Sequence, residues 1–253
     1  MVVSLVQSSI VWENPHANRN IFRDLVIKAD KADLFVLPEM FTSGFTMNPA
    51  PVAETMGGET LTWMKDLAAH KDAAICGSVV IKENGNFYNR FLFAEPSGDV
   101  HHYDKRHLFT LAGEHQQYTG GRDKVIVSFR GVSICLQVCY DLRFPVFARN
   151  TEDYDLLIYT ANWPMVRIAA WDALLKARAI ENMCYVAAVN RVGVDANGHQ
   201  YVGHSQAIDF LGAPIIEPFE YQGTLSFTIN LEEMLSTRKR LGFLNDRDGF
   251  TVH

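Results

Sequence analysis

Short apolar runs of β character recur at even intervals along this chain, and stripes of helical period separate some of them. Val2–Gln7 reads as a buried strand, and Asn18–Lys31 carries Ile21, Phe22, Leu25, Val26 and Ala29 on one helical face. Leu34–Leu37 is a brief β run ending at Pro38, and Thr60–His70 is a second helix with Leu61, Met64, Leu67 and Ala68 along one side. Ala74–Ile81, Phe87–Ala94 and Val100–Tyr103 follow as strands, with turn signals at Asn84-Gly85-Asn86 and Pro96-Ser97-Gly98-Asp99. Beyond a polar stretch come strands Val125–Phe129, Val132–Val138 and Leu156–Thr160, then the longest helix, Ile168–Asn182. Strands Tyr185–Asn190, Ser205–Phe210 and Thr224–Ile229 and a short helix near Leu231–Thr237 complete the pattern. Hairpins mixed with helical connections predict an α/β chain with mixed sheets and helices outside them.

No Pro/Ser/Gly-rich linker or charge block interrupts this pattern, so residues 1–253 are expected to form a single domain. The polar stretch Arg238–His253, with Phe243, Leu244 and Phe250 interspersed, is expected to be a C-terminal arm. A hydrophobic content of 48% can fill a core, and a net charge of −6 without a basic stripe argues against a general nucleic-acid binder. No stretch approaches the length of a membrane-spanning helix, and Met1–Gln7 lacks the basic start and long apolar core of a signal peptide. Four cysteines in a chain of this size do not suggest a disulfide scaffold, and a reactive thiol needs reducing surroundings; the expected location is the cytoplasm.

The chemistry concentrates at Cys139. The apolar run from Val132 turns polar at that thiol, and Pro145 marks where a new helix can begin. A nucleophile at a strand-to-helix elbow is exposed beside N–H groups that can hold developing negative charge. Cys76, Cys135 and Cys184 lie inside apolar runs and read as small core residues. Their spacing matches no paired metal site, and no H-E-x-x-H occurs, so no metal is expected.

Two other segments share this layout of an apolar strand running into a charged residue and a turn. Leu34–Leu37 leads to Glu39, and Val100–Tyr103 leads to Lys105. If the strand ends converge, the three residues make an acyl-transfer device. Glu39 would take the thiol proton and later activate water. Lys105 would favour the thiolate and steady the oxyanion, and Cys139 would form a thioester. Taken singly, each has a structural reading: a helix N-terminal charge, a solvated turn lysine, a buried thiol. A thiol–imidazole pair is the rival mechanism, with His101, His102, His107 and His115 nearest the lysine, though nothing singles one of them out.

Leu37-Pro38-Glu39-Met40-Phe41, Tyr103-Asp104-Lys105-Arg106-His107-Leu108-Phe109 and Cys139-Tyr140-Asp141-Leu142-Arg143-Phe144-Pro145, in that order, resemble the nitrilase (carbon–nitrogen hydrolase) superfamily. The resemblance spans nearly the whole chain. It implies Glu39 as base, Lys105 as the lysine and Cys139 as nucleophile. A second glutamate, Glu114, would orient the lysine and the substrate. It further implies a four-layer α-β-β-α sandwich, no cofactor and a homodimer. Arg178 and Glu181, within a further matching segment, are expected to pack or pair, and Arg143 to brace the elbow.

Phe41–Met47, Arg106–Phe109 with Gly113-Glu114-His115, and Asn162-Trp163-Pro164 with Arg167 are similar to the omega-amidase branch. That resemblance implies hydrolysis of the terminal amide of short 2-oxo dicarboxylic acid monoamides, such as 2-oxoglutaramate and 2-oxosuccinamate, to the acid and ammonia. Arg167 is then expected to meet the substrate carboxylate, and Phe45, Met47, Trp163 and Tyr140 to wall the pocket. The alternatives are deaminated glutathione or another small aliphatic amide as substrate, or a nitrilase-like fold kept as a non-catalytic binding protein.

Overall fold

A computed structural model describes residues 1–252. Its strands are β1 (Val2–Gln7), β2 (Leu34–Val36), β3 (Ala74–Glu83), β4 (Asn86–Ala94), β5 (Val100–Asp104), β6 (Ile126–Phe129), β7 (Val132–Val138) and β8 (Leu156–Thr160). They continue with β9 (Tyr185–Val189), β10 (Val192–Val194), β11 (Gln200–Val202), β12 (Ser205–Ile208), β13 (Pro214–Phe219) and β14 (Gly223–Thr228). The helices are α1 (Pro15–Lys28), α2 (Glu59–Lys71), α3 (Glu114–Gln117), α4 (Pro145–Ala148), α5 (Ile168–Asn182) and α6 (Leu231–Leu241). One six-stranded sheet has the order β14-β1-β2-β3-β4-β5, the other β13-β12-β9-β8-β7-β6, and β10 and β11 pair apart from both.

Strand periodicity decides which residues face which layer. In the first sheet Leu34, Val36, Ala74, Cys76, Phe91 and Phe93 join the core shared with the second sheet. Their neighbours Phe35, Leu37, Ile75, Val79 and Leu92 point the other way, onto Phe22 and Val26 of α1 and Leu61 and Met64 of α2. The second sheet is apolar on both faces: Ile134, Leu136 and Val138 share a core with Trp171, Leu175 and Ala179 of α5. That is the expected four-layer α-β-β-α sandwich.

Strand direction then sets the functional edge. β2 runs parallel to β3, β4 antiparallel to β3, and β5 antiparallel to β4, so β2 and β5 end at the same edge of the first sheet. β7 and β8 run parallel and likewise finish together in the second. Residues just past these four strand ends can therefore meet.

Several boundaries differ from the sequence expectation. Helix α1 starts at Pro15 rather than Asn18, because Asn14 caps it by accepting from the Ala17 N–H and proline suits the first helical turn. Helix α6 continues through Leu241, with Gly242 in the left-handed conformation ending it, so the expected arm begins as helix. The hairpin at Asn84-Gly85 forms as expected, with Glu83 paired to Asn86 and positive φ at both turn residues. Strand β13 was not anticipated; Pro214 and Pro218 tell against a strand, and it lies at a sheet edge, where proline is tolerated. Among the described residues no helix is long and apolar enough to cross a membrane.

Candidate active site

Glu39, Lys105 and Glu114 meet as one buried cluster. Glu39 lies in the turn after β2, Lys105 directly after β5, and Glu114 at the start of α3, and all three are sealed from solvent. Lys105 Nζ donates to Glu39 Oε1 at 2.9 Å and to Glu114 Oε2 and Oε1 at 2.9 and 3.0 Å. Asn89 Nδ2, on β4, donates to Glu39 Oε1 at 2.8 Å and to Glu114 Oε1 at 3.2 Å. The Asn162 N–H reaches Glu39 Oε2 at 2.8 Å, and the Phe109 N–H reaches Glu114 Oε2 at 2.5 Å. The Lys105 ammonium also sits 5.1 Å from the Phe45 ring centroid.

The turn that carries Glu39 is tightly seated. Gly77 on β3 lets the Leu37 backbone approach; a Cβ there would lie 2.9 Å from Leu37 Cβ and 3.2 Å from its carbonyl. Met40, next to Glu39, takes φ 42° while its N–H donates to Ser78 Oγ at 2.8 Å.

Cys139 directly follows β7 and opens a 3₁₀ turn through Arg143 with φ 46°, a left-handed conformation that non-glycine residues rarely adopt. Its Sγ faces the Asn162 carbonyl at 4.0 Å, and the residue lines a cavity of about 560 Å³. Burial pushes the thiol well up, and the Glu39 carboxylate adds to this by its charge and by hydrogen bonding to the protonated form; Lys105 opposes both. Lys105 thus favours the thiolate, but burial and Glu39 outweigh it and hold the thiol above its ordinary range. Burial also works against the Lys105 charge, but Glu114 and then Glu39 outweigh it and hold the ammonium above its ordinary range. The Glu114 carboxyl is raised, chiefly by burial and further by Glu39, with Lys105 pulling it down.

Phe45, Met47, Tyr140, Trp163 and Arg167 all line the cavity. Arg167 stacks over Phe109, 5.1 Å from its centroid, and Arg143 stacks over Trp163 at 4.9 Å. Arg143 thus faces the cavity rather than bracing the elbow. That bracing falls to Arg178 of α5, which donates to the Leu142 carbonyl at 2.5 Å and pairs with Glu181 at 2.9 Å. Among the described residues neither Arg143 nor Arg167 has a carboxylate partner.

Sequence reasoning missed Asn89, a polar residue inside β4, and the cavity rim formed by Asp195, Asn197, His199 and Tyr201. The rim belongs to the β10–β11 hairpin, and Asn197-Gly198 between two apolar runs was a usable signal for it.

A protein buries a lysine between two glutamates, and a thiol above them in a strained elbow, only where the surrounding fold enforces it. The fold is accordingly one shared with known proteins. The carbon–nitrogen hydrolase family model matches residues 2–239. The chain is 45% identical to "Omega-amidase YafV" of Yersinia enterocolitica over 253 residues, covering 99% of this chain and 98% of that protein. It is 33% identical to "2-oxoglutaramate amidase" of Bacillus subtilis, covering 96% of each. Among solved structures, XC1258 from Xanthomonas campestris, described as a CN-hydrolase superfamily protein with an arsenic adduct in its active site, superposes with a TM-score of 0.96 at 45% identity, covering 100% of this chain and 99% of that one. The chain belongs to the carbon–nitrogen hydrolase family of the nitrilase superfamily.

Proposed function

We propose that this protein is an omega-amidase: it hydrolyses the terminal amide of short 2-oxo dicarboxylic acid monoamides, typified by 2-oxoglutaramate and 2-oxosuccinamate, through a thioester on Cys139. The observation that carries the reading is the Lys105 ammonium held 2.9 Å from both Glu39 and Glu114, close enough to act on the Cys139 thiol, in a cavity lined by two arginines that have no carboxylate partner among the described residues. The names of the relatives agree with it, and arsenic is thiophilic, so the adduct in XC1258 fits a reactive sulfur in such a site.

In this scheme Glu39 accepts the thiol proton as Cys139 Sγ attacks the amide carbon, so charge forms only as the bond does. Lys105 steadies the oxyanion; a donor of this kind is worth roughly 3–4 kcal/mol of barrier. Glu39 returns the proton to the leaving nitrogen, which departs as ammonia and leaves a thioester. Water then enters, Glu39 takes its proton, hydroxide attacks the thioester carbon, and the expelled sulfur recovers the proton as the acid leaves. Glu114 keeps Lys105 aimed throughout. No cofactor enters these steps.

Arg143 and Arg167 supply the seat for the substrate's carboxylate and neighbouring oxo group, each held flat by an aromatic ring. Phe45, Met47, Tyr140 and Trp163 wall the carbon chain. The room toward Asp195, Asn197 and His199 favours a second reading, a longer amide such as deaminated glutathione. A homodimer working in the reducing cytoplasm belongs to the same reading, and light scattering on the purified protein tests the dimer.

The deciding experiment measures ammonia release from 2-oxoglutaramate, 2-oxosuccinamate, glutamine, deaminated glutathione and a simple nitrile, for the parent and for Cys139→Ala. The parent should prefer the 2-oxo amides over glutamine, and Cys139→Ala should keep the fold with no turnover. Turnover near the parent rate in that variant would end the nucleophile assignment, and a preference for glutamine would end the substrate assignment.

A further inference from the structure

We propose that Asp141 is the positioning residue that holds the nucleophile and the lysine in register, with His107 as its partner. The proposal rests on the roles given above to Cys139 and Lys105, and concerns how they are kept in place. Asp141 is two residues past Cys139 and fully buried, and among the described residues its only ion-pair partner is His107. Its carboxylate accepts four hydrogen bonds from three segments. Oδ2 takes the Val138 N–H at 3.0 Å and the Tyr103 hydroxyl at 2.7 Å. Oδ1 takes the His107 N–H at 3.0 Å and His107 Nδ1 at 2.7 Å.

The placement of those donors gives the carboxylate its reach. Val138 immediately precedes Cys139, so the bond to its N–H closes the turn over the left-handed residue. Tyr103 and His107 flank Lys105 by two residues on either side, and the Tyr103 hydroxyl also accepts from the Arg106 N–H at 3.1 Å. One side chain therefore fixes the backbone on both sides of the ammonium and the backbone that turns at the sulfur.

The chemistry demands a carboxylate here, since each oxygen already faces a backbone N–H that cannot rotate away. An asparagine turned either way would present its own NH₂ to one of those donors. Ionised Asp141 can only accept, so the His107 ring must carry its proton on Nδ1. The ring is held in that pose by stacking on Phe144, with centroids 3.8 Å apart and planes 4° from parallel. Phe144 in turn meets Tyr140 edge to face at 5.1 Å, which carries the brace to the cavity wall.

The test uses Asp141→Asn, His107→Ala and His107→Asn in the full chain, the last because an asparagine Nδ2 occupies the place of imidazole Nδ1. Two quantities are read: kcat and KM for 2-oxoglutaramate, and the second-order rate constant for iodoacetamide labelling of Cys139, followed by mass. Asp141→Asn and His107→Ala should lower kcat by roughly 10²-fold with KM changed much less, and should alter the labelling rate constant, because small misplacements of reacting groups cost that much. His107→Asn should recover most of both. A merely loosened fold would spread labelling to the buried thiols of Cys76, Cys135 and Cys184, and the asparagine variant would not rescue it; that result overturns the proposal. If Asp141→Asn does not fold, the two His107 variants decide. Parent-like kcat and labelling in His107→Ala, with Cys139→Ala inactive, would sink the positioning role and leave the proposed function standing. An active Cys139→Ala would sink the function instead.

Discussion

Glu39 and Asn162 hold each other by two hydrogen bonds. The Asn162 N–H donates to Glu39 Oε2 at 2.8 Å, and its side-chain Nδ2 donates to the Glu39 carbonyl at 2.6 Å. Glu39 follows β2 of the first sheet and Asn162 follows β8 of the second, so this pair fastens the two sheets at the edge where the cluster lies.

Asn162→Ala keeps the backbone bond but leaves the Glu39 carbonyl buried without that donor, a loss of about 1–3 kcal/mol. We expect a lower thermal midpoint and a kcat reduced about tenfold, with KM moving less, as for an interaction that aligns reacting groups. Denaturation curves and steady-state kinetics on the same preparation check both. An unaltered kcat would show that the carboxylate keeps its pose without the side chain.

Lys105→Ala leaves Glu39 and Glu114 buried side by side with no cation between them. Removing one partner from a buried ionic cluster costs about 3–5 kcal/mol, so this variant should be destabilised as well as inactive. The pH dependence has a definite sign. Burial already raises the Glu114 carboxyl while Lys105 pulls it down. Without Lys105 the folded state holds that proton more tightly still, whereas the unfolded chain releases it at the ordinary carboxyl value. Folding then takes up protons, so the stability deficit against the parent should shrink on going from about pH 8 to about pH 5. Urea unfolding at both pH values reads this; a deficit that widens in acid contradicts it.

Most of what frames the site is legible in the sequence. The strands ending before Glu39, Lys105 and Cys139 could be seen because a short run of β character stops at a charged or polar residue. The helix Ile168–Asn182 has the bounds its pattern gave. Asn89 was not legible, because a polar residue at one strand position has the same pattern whether it faces water or a buried carboxylate. The inward face of Arg143 was hidden for a related reason: an arginine next to an elbow can turn either way, and its seat on Trp163 depends on contacts between distant segments. The net upward shift of the Cys139 thiol lay out of reach too. Proximity to Lys105 favours thiolate, and only the depth of burial and the place of Glu39 reverse that.

Arg143→Ala and Arg167→Ala should each raise KM for 2-oxoglutaramate by about 10- to 100-fold, the range of one charge-assisted hydrogen bond at about 1.5–3 kcal/mol. The loss on a neutral amide of equal length should be much smaller. Both guanidiniums stack on rings and neither has a carboxylate partner among the described residues, so the substitutions leave no buried anion unpaired. The double variant measures their coupling: a combined loss smaller than the summed losses means that both grip one carboxylate. Equal losses on charged and neutral amides would remove the anion seat altogether.

Glu39→Gln separates the reactivity of the sulfur from turnover. Burial raises the Cys139 thiol most, Glu39 raises it further by charge and hydrogen bonding, and Lys105 lowers it. Deleting the Glu39 charge leaves Lys105 as the nearest opposing influence, so the thiol should ionise more readily in the variant than in the parent. Iodoacetamide consumes the thiolate and needs no general base, so labelling of Cys139 at about pH 8 should become faster. Amide hydrolysis needs a group to pass the proton to the leaving nitrogen and another proton from the incoming water, so ammonia release should fall by about 10²-fold or more. A blocked cavity would slow both, and a damaged fold would also open the buried thiols of Cys76, Cys135 and Cys184, so faster labelling confined to Cys139 marks the specific effect. Slower labelling in the variant, measured by mass against the parent under identical conditions, would mean that Glu39 serves to ionise the resting thiol rather than to catch its proton during attack.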